Sequence, residues 1–161
     1  MSMTVIALAA LLTLVERPRT LAARGTWAAL DRGSQCEALS RALLPQALDR
    51  PAALITVTFD RAGRRSGELS IRFRRPLRPG SSVILTVGDM PFELAAAGQS
   101  AWSRGPVQEA AILEAIRASG GARATARDGG GRRMTERFLL DGAPTAIDAA
   151  AAACARPMSR P

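Results

Sequence analysis

Alternation with a period of two does most to limit what this chain can fold into. Successive side chains of an extended strand point to opposite faces, so an apolar/polar alternation can bury one face of a sheet and cannot line one side of a helix. Ala53, Ile55, Val57 and Phe59 alternate with Leu54, Thr56 and Thr58; after DRAGRRSG the rhythm resumes as Leu69, Ile71 and Phe73 against Ser70, Arg72 and Arg74. That pair reads as a hairpin with an arginine-lined outer face. Val83, Leu85 and Val87 run into Gly88-Asp89 and return as Met90, Phe92 and Leu94, a tight two-residue hairpin. A third pair flanks DGGG, with Ala122, Ala124 and Ala126 on one arm and Met134, Phe138 and Leu140 on the other. Glu136 falls on the apolar side of that return, and a bulge is the expected remedy. TWAAL (26–30) and QCEALS (35–40) read as two shorter strands joined by DRGS.

Two segments follow the helical period instead. GPVQEAAILEAIRASGG has Pro106 at the first helical position, Glu109 near the start, Arg117 near the end and Gly120-Gly121 as the stop. In FLLDGAPTAIDAAAAACA, Thr145 followed by Asp148 resembles a capping box, and Ile147, Ala150, Ala151 and Cys154 fall on one helix face. RALLPQALDRP reads either as a short helix broken at Pro45 or as a loop. The fold class expected from the residues is mainly β, with one mid-chain helix and one C-terminal helix packed on the sheet. At 161 residues, 47% apolar and 22% charged, the chain suits a single domain with a proper core.

The uncharged apolar run Met3–Val15 is too short for the about 20 residues a membrane helix needs, but it suits the central region of a secretory signal. Ala22 and Ala23 offer small residues for cleavage. The expected organisation is a signal peptide over 1–23, one domain over 24–155 and a fraying tail over 156–161, with a periplasmic or outer-envelope address. The other reading of the run is a first strand or helix of a cytosolic domain. In an exported protein the two cysteines, Cys36 and Cys154, favour a disulfide that staples the last helix to the sheet. In a cytosolic one they are small buried hydrophobes.

The residues that are absent exclude more chemistry than those present suggest. With no histidine the chain has no Ser-His-Asp or Cys-His arrangement and no imidazole metal ligand. With no lysine it has no Ser-Lys dyad, Schiff base or P-loop. Turn chemistry explains SGG and DGGGRR. No enzymatic activity, cofactor or metal is therefore expected. The net charge of +8 is carried by arginine alone, and a field of that sign draws phosphate-bearing and acidic partners. Arg64, Arg65, Arg72, Arg74 and Arg75, in RRSGELSIRFRRPLR, are the candidate anion ligands, with Arg72 and Arg74 forming a ladder; the competing reading is a charged sheet edge that resists aggregation. Aromatics are 4% of the chain and show no stacking platform, which argues against nucleic acid.

Taken in order, Trp27 with Cys36 soon after, the Val-Gly hairpin before FEL, the helix PVQEAAILEAI and the closing FLLDGAPTAIDAAAAACA span Gly25 to Cys154. This pattern resembles the invasion-associated locus B family of bacterial exported proteins. The resemblance implies an immunoglobulin-like β-sandwich with a small helical addition. It also implies a poorly defined, non-enzymatic role at the envelope, linked in pathogens to host-cell entry; separately, the charge and the expected address point to an anionic envelope polymer or another envelope protein as partner. Two alternatives remain open at this stage: a small envelope hydrolase or lectin-like protein using carboxylates and arginines on anionic glycans, and a cytosolic anion-binding protein.

Overall fold

The computed structural model describes residues 17–43 and 51–156. The apolar run 3–15, most of RALLPQALDRP and the tail after Arg156 lie outside the described residues. The elements are β1 (Arg19–Arg24), β2 (Trp27–Asp31), β3 (Gln35–Arg41), β4 (Leu54–Asp60), β5 (Ser66–Arg72), β6 (Val83–Val87), β7 (Met90–Ala97), β8 (Ser100–Trp102), α1 (Pro106–Ala118), β9 (Gly121–Arg127), β10 (Arg133–Leu139) and α2 (Ala143–Ala155).

The strands form one antiparallel sheet of ten, in the order β1-β2-β3-β4-β5-β8-β7-β6-β9-β10. It becomes a sandwich because β7 belongs to both layers. Its first part, Met90–Leu94, pairs with β6 and its last part, Ala95–Ala97, pairs with β8. One layer is thus β1 to β5 with β8, and the other is β6, β9 and β10 with the start of β7. On the opposite side the layers are tied by the Leu43 amide donating to the Arg137 carbonyl (2.8 Å) and by the Trp27 indole N–H donating to the Leu139 carbonyl (2.9 Å). The expected sandwich is present, with its layers joined through a shared strand.

The alternation read from the sequence is the burial pattern. Ile55, Val57, Leu69, Ile71 and Phe73 of the first layer and Val83, Leu85, Leu94 and Phe138 of the second are all buried in one core. Each such side chain removed from water contributes about 1.5–3 kcal/mol. The inner face of β2 and β3 carries smaller side chains, Ala29, Cys36 and Ala38, and here α2 replaces the second layer with its own small face, Ala143, Ala146, Ile147, Ala150 and Cys154. Helix α1 buries Ile112 and Ile116, and lays Leu113 over Gly67 of β5. A Cβ at Gly67 would stand 2.9 Å from the Leu113 methyl. Arg117 of α1 and Asp148 of α2 join the helices at 2.6 Å.

Two local expectations are corrected. The capping box does not form: α2 begins at Ala143, before Thr145, with Pro144 in its first turn and no side-chain cap. Its N-cap is Gly142 at φ 88°, where a Cβ would collide with the Arg24 carbonyl, so the close approach of β1 sets the start of the helix. Asp148 bonds to Arg117 instead. There is no bulge at Glu136 either, since β9 and β10 pair in unbroken register. The carboxylate stays on the inner face, 1% exposed, because Arg74 reaches it at 2.8 Å. Ahead of the residue-24 boundary expected for the domain, Arg19 to Arg24 form β1, which pairs with β2 and packs Leu21 and Ala22 against the core.

Candidate functional site

Because the inner face of the first layer is filled, its outer face presents whatever the polar half of the alternation supplies. Strand register sorts these residues into rows. The first row runs Arg41, Leu54, Arg72, Ser100 across β3, β4, β5 and β8. The second runs Ala28, Leu39, Thr56, Ser70, Trp102, and the third Leu30, Glu37, Thr58, Glu68. Charge is therefore divided along the strands, with arginines at one end, glutamates at the other and a mildly apolar row between.

The two ends differ in how far their charge is spent. Glu37 accepts from Arg32 at 2.6 Å and from Gln35 at 2.9 Å, and Glu68 lies 3.4 Å from Arg65. Arg41 and Arg72 are exposed and carry no ion pair or side-chain hydrogen bond among the described residues. Both line a depression of about 310 Å³ with Leu54, Arg74 and Gln99. Two larger hollows, about 490 and 680 Å³, mix engaged cations with others, Arg78 of the first having no side-chain partner among the described residues. Arg104 is there bonded to Glu93, and Arg61 to Asp31 and backbone carbonyls.

The five arginines singled out in the sequence are dispersed. Arg64 sits in the β4–β5 turn 3.8 Å from Asp60, and Arg65 pairs with Glu68. Arg74 turns to Glu136, while Arg75 reaches Asp128 at 3.2 Å. Arg72 alone of the five stays open on the sheet face. Strand pairing of β5 ends at Arg72–Ser100, with one further backbone bond from the Phe73 amide to the Gln99 carbonyl (2.9 Å), and Arg74, at the edge of the same depression, spends its guanidinium on Glu136 rather than beside Arg72. The residue that joins Arg72 is Arg41, the last outward position of β3, whose neighbourhood is set by register alone. Trp102 is half-buried on the same open face, and its indole N–H makes no hydrogen bond among the described residues. It gives the chain one aromatic surface where the composition suggested none.

The cysteines are joined. Cys36 and Cys154 form a disulfide with a Cα–Cα distance of 5.7 Å, and both are buried, which sets aside the reading as free hydrophobes. Arg61 sits beside the bridge. Its guanidinium donates to the carbonyls of Gly33 (2.7 Å), Ala153 (2.6 Å) and Arg156 (2.7 Å) and to the Asp31 carboxylate (3.0 Å), closing the C-terminal end of α2 where carbonyls lack helical partners.

Three aspartates anchor such contacts below their ordinary range. Burial would raise Asp31, but the Gly33 amide and the Arg61 and Arg19 guanidiniums outweigh it. The Arg132 amide, with Arg75 and the Gly130 amide, lowers Asp128, and Arg117 lowers Asp148. With depressed values in the folded state, the unfolded chain binds more protons as the pH falls. Stability is then fully present above the unfolded carboxylate range and lost on acidification. The melting temperature is expected to hold level from pH 7 to about 5 and to drop as the pH passes about 4. Asp31→Asn should blunt that drop, and a profile in the variant as steep as in the parent would remove Asp31 from this account.

Among the described residues no three acidic, cysteine or histidine side chains gather in a metal-binding group, and no helix is long and apolar enough to cross a membrane. Compared with known proteins, the chain matches no family model, no curated protein and no solved structure.

Proposed function

We propose that this protein works outside the cytoplasm, in the periplasm or at the outer envelope, as a non-catalytic structural or binding module of the kind suggested by its resemblance to the invasion-associated locus B family. The observation that carries the reading is the Cys36–Cys154 disulfide, a bond that persists in oxidising compartments and is rare in reducing ones. The apolar run Met3–Val15 ahead of β1 supports it as an export signal. The partner surface in this reading is the outer sheet face with Arg41 and Arg72, which carry no ion pair among the described residues. Binding chemistry is favoured over hydrolysis because the acidic groups near that face are engaged by arginines.

On this reading the cleavage point lies before β1. A cut after Ala22 or Ala23 would remove most of β1, with the Arg19–Asp31 ion pair and the core contacts of Leu21 and Ala22. The mature chain is therefore expected to keep Arg19. Fractionation of bacteria expressing the full-length chain with a C-terminal tag, with mass measurement of the product, tests both points. A periplasmic or envelope product that retains Arg19 and has oxidised cysteines is expected. A cytosolic product with free thiols would overturn the reading, and an exported product beginning after Ala23 would overturn the placement of the cut alone.

A further inference from the structure

We propose that the outer face of the first layer binds an acidic polysaccharide, with Arg41 and Arg72 holding a carboxylate or sulfate group above Leu54 and Trp102 stacking on a sugar ring of the same chain. The inference rests on the binding role proposed above and names the ligand class for that surface.

The register places the parts. Arg41 and Arg72 flank Leu54 on adjacent strands, so their Cα atoms stand about 10 Å apart, two strand spacings, and two long side chains can converge on one anion between them. Guanidinium groups suit that task, because their planar donors match the paired oxygens of a carboxylate or sulfate. Trp102 lies one row along, two residues from Ser100, the β8 partner of Arg72, or about 7 Å down the strand direction. An anion site and an aromatic surface at that separation on an open face match a polymer in which charged groups alternate with flat ring faces. The glutamates at the far end are occupied by Arg32, Gln35 and Arg65, so they leave the arginine end as the attractive one. A small anion would use the arginines and gain nothing from Trp102. A polypeptide carrying acidic side chains would supply charge without the ring faces.

The test uses the purified full-length chain with heparin and polygalacturonate as sulfated and carboxylated polysaccharides, and polyglutamate as a polyanion without sugar rings. Binding is followed by titration calorimetry, which also reads the variant lacking Trp102, and in the parent by tryptophan emission, where Trp102 is the accessible indole because Trp27 is buried and Trp102 is only partly so. At least one polysaccharide is expected to bind more tightly than polyglutamate and to perturb the emission. Arg41→Ala/Arg72→Ala and Trp102→Ala should each weaken binding roughly tenfold or more, the size of a lost charge-assisted or stacking contact. Arg64→Ala/Arg65→Ala removes the same charge at the other end of β5 and should change binding only about twofold, through the overall field. Equal losses in the two double variants, polyglutamate binding as well as the polysaccharides, or no binding of either polysaccharide would each overturn the proposal. Fractionation, which is independent of these ligands, would still decide whether the protein is exported.

Discussion

Arg74→Ala is expected to lower the unfolding free energy by about 3 kcal/mol, far beyond the effect of removing an ordinary surface arginine. Glu136 sits on the inner face of β10, 1% exposed, between Met134 and Phe138, and the Arg74 guanidinium is its ion-pair partner at 2.8 Å. Removing the arginine leaves a carboxylate in the core without compensation. Admitting water to solvate it disturbs the packed core and costs stability. For a chain of this size the loss corresponds to roughly 6–12 °C in melting temperature. Removing both partners has a different sign of argument. Arg74→Met/Glu136→Leu deletes the buried charge with its counter-charge, and such replacements are often neutral or better. The double variant is expected to lie within about 1 kcal/mol of the parent. Guanidinium denaturation of the three proteins settles the matter: a loss under about 0.5 kcal/mol for Arg74→Ala would class the contact with weak exposed pairs.

This pair also marks where the sequence stops being readable. Alternation correctly placed the hairpins β4–β5, β6–β7 and β9–β10, and it put Glu136 on the inner face, because period two reports which way a side chain points whatever its chemistry. It could not supply the partner, since Arg74 is 62 positions away and meets Glu136 only when the second layer folds over the first. The grouping of the arginines was hidden for the same reason. Arg41 and Arg72 belong to strands that are each legible, but their sharing of Leu54 is a fact of register across β3, β4 and β5. The arginines that cluster in sequence, Arg64 to Arg75, were the visible signal; folding gave four of them a carboxylate apiece. β1 was hidden by its leader-like setting, and β8 by its length, since three residues carry too little alternation to register.

Loss of the disulfide is expected to have the largest effect of any change to this protein. Cys36 and Cys154 close a loop of 118 positions, for which the chain-entropy model gives about 5 kcal/mol, with measured losses commonly about 2–5 kcal/mol. Cys36→Ala/Cys154→Ala should therefore melt roughly 10 °C below the parent. The bridge acts mainly on the unfolded chain, so its removal need not loosen α2 in the folded one. The helix keeps Ala146, Ile147 and Ala150 in the core, and Arg61 still bonds the carbonyls of Ala153 and Arg156. Hydrogen exchange separates the two contributions. In the cysteine-free variant the amides of Ala149 to Ala155 are expected to remain protected even though the whole protein unfolds more readily. Adding Arg61→Ala to that variant should strip protection from the last turn first, because its carbonyls then lose their only side-chain donor among the described residues and the covalent tether is already gone. If the last turn exchanges freely as soon as the cysteines are replaced, the covalent bond rather than Arg61 holds the helix end. In that case the guanidinium serves the β2–β3 turn, through Gly33 and Asp31, and the helix only incidentally.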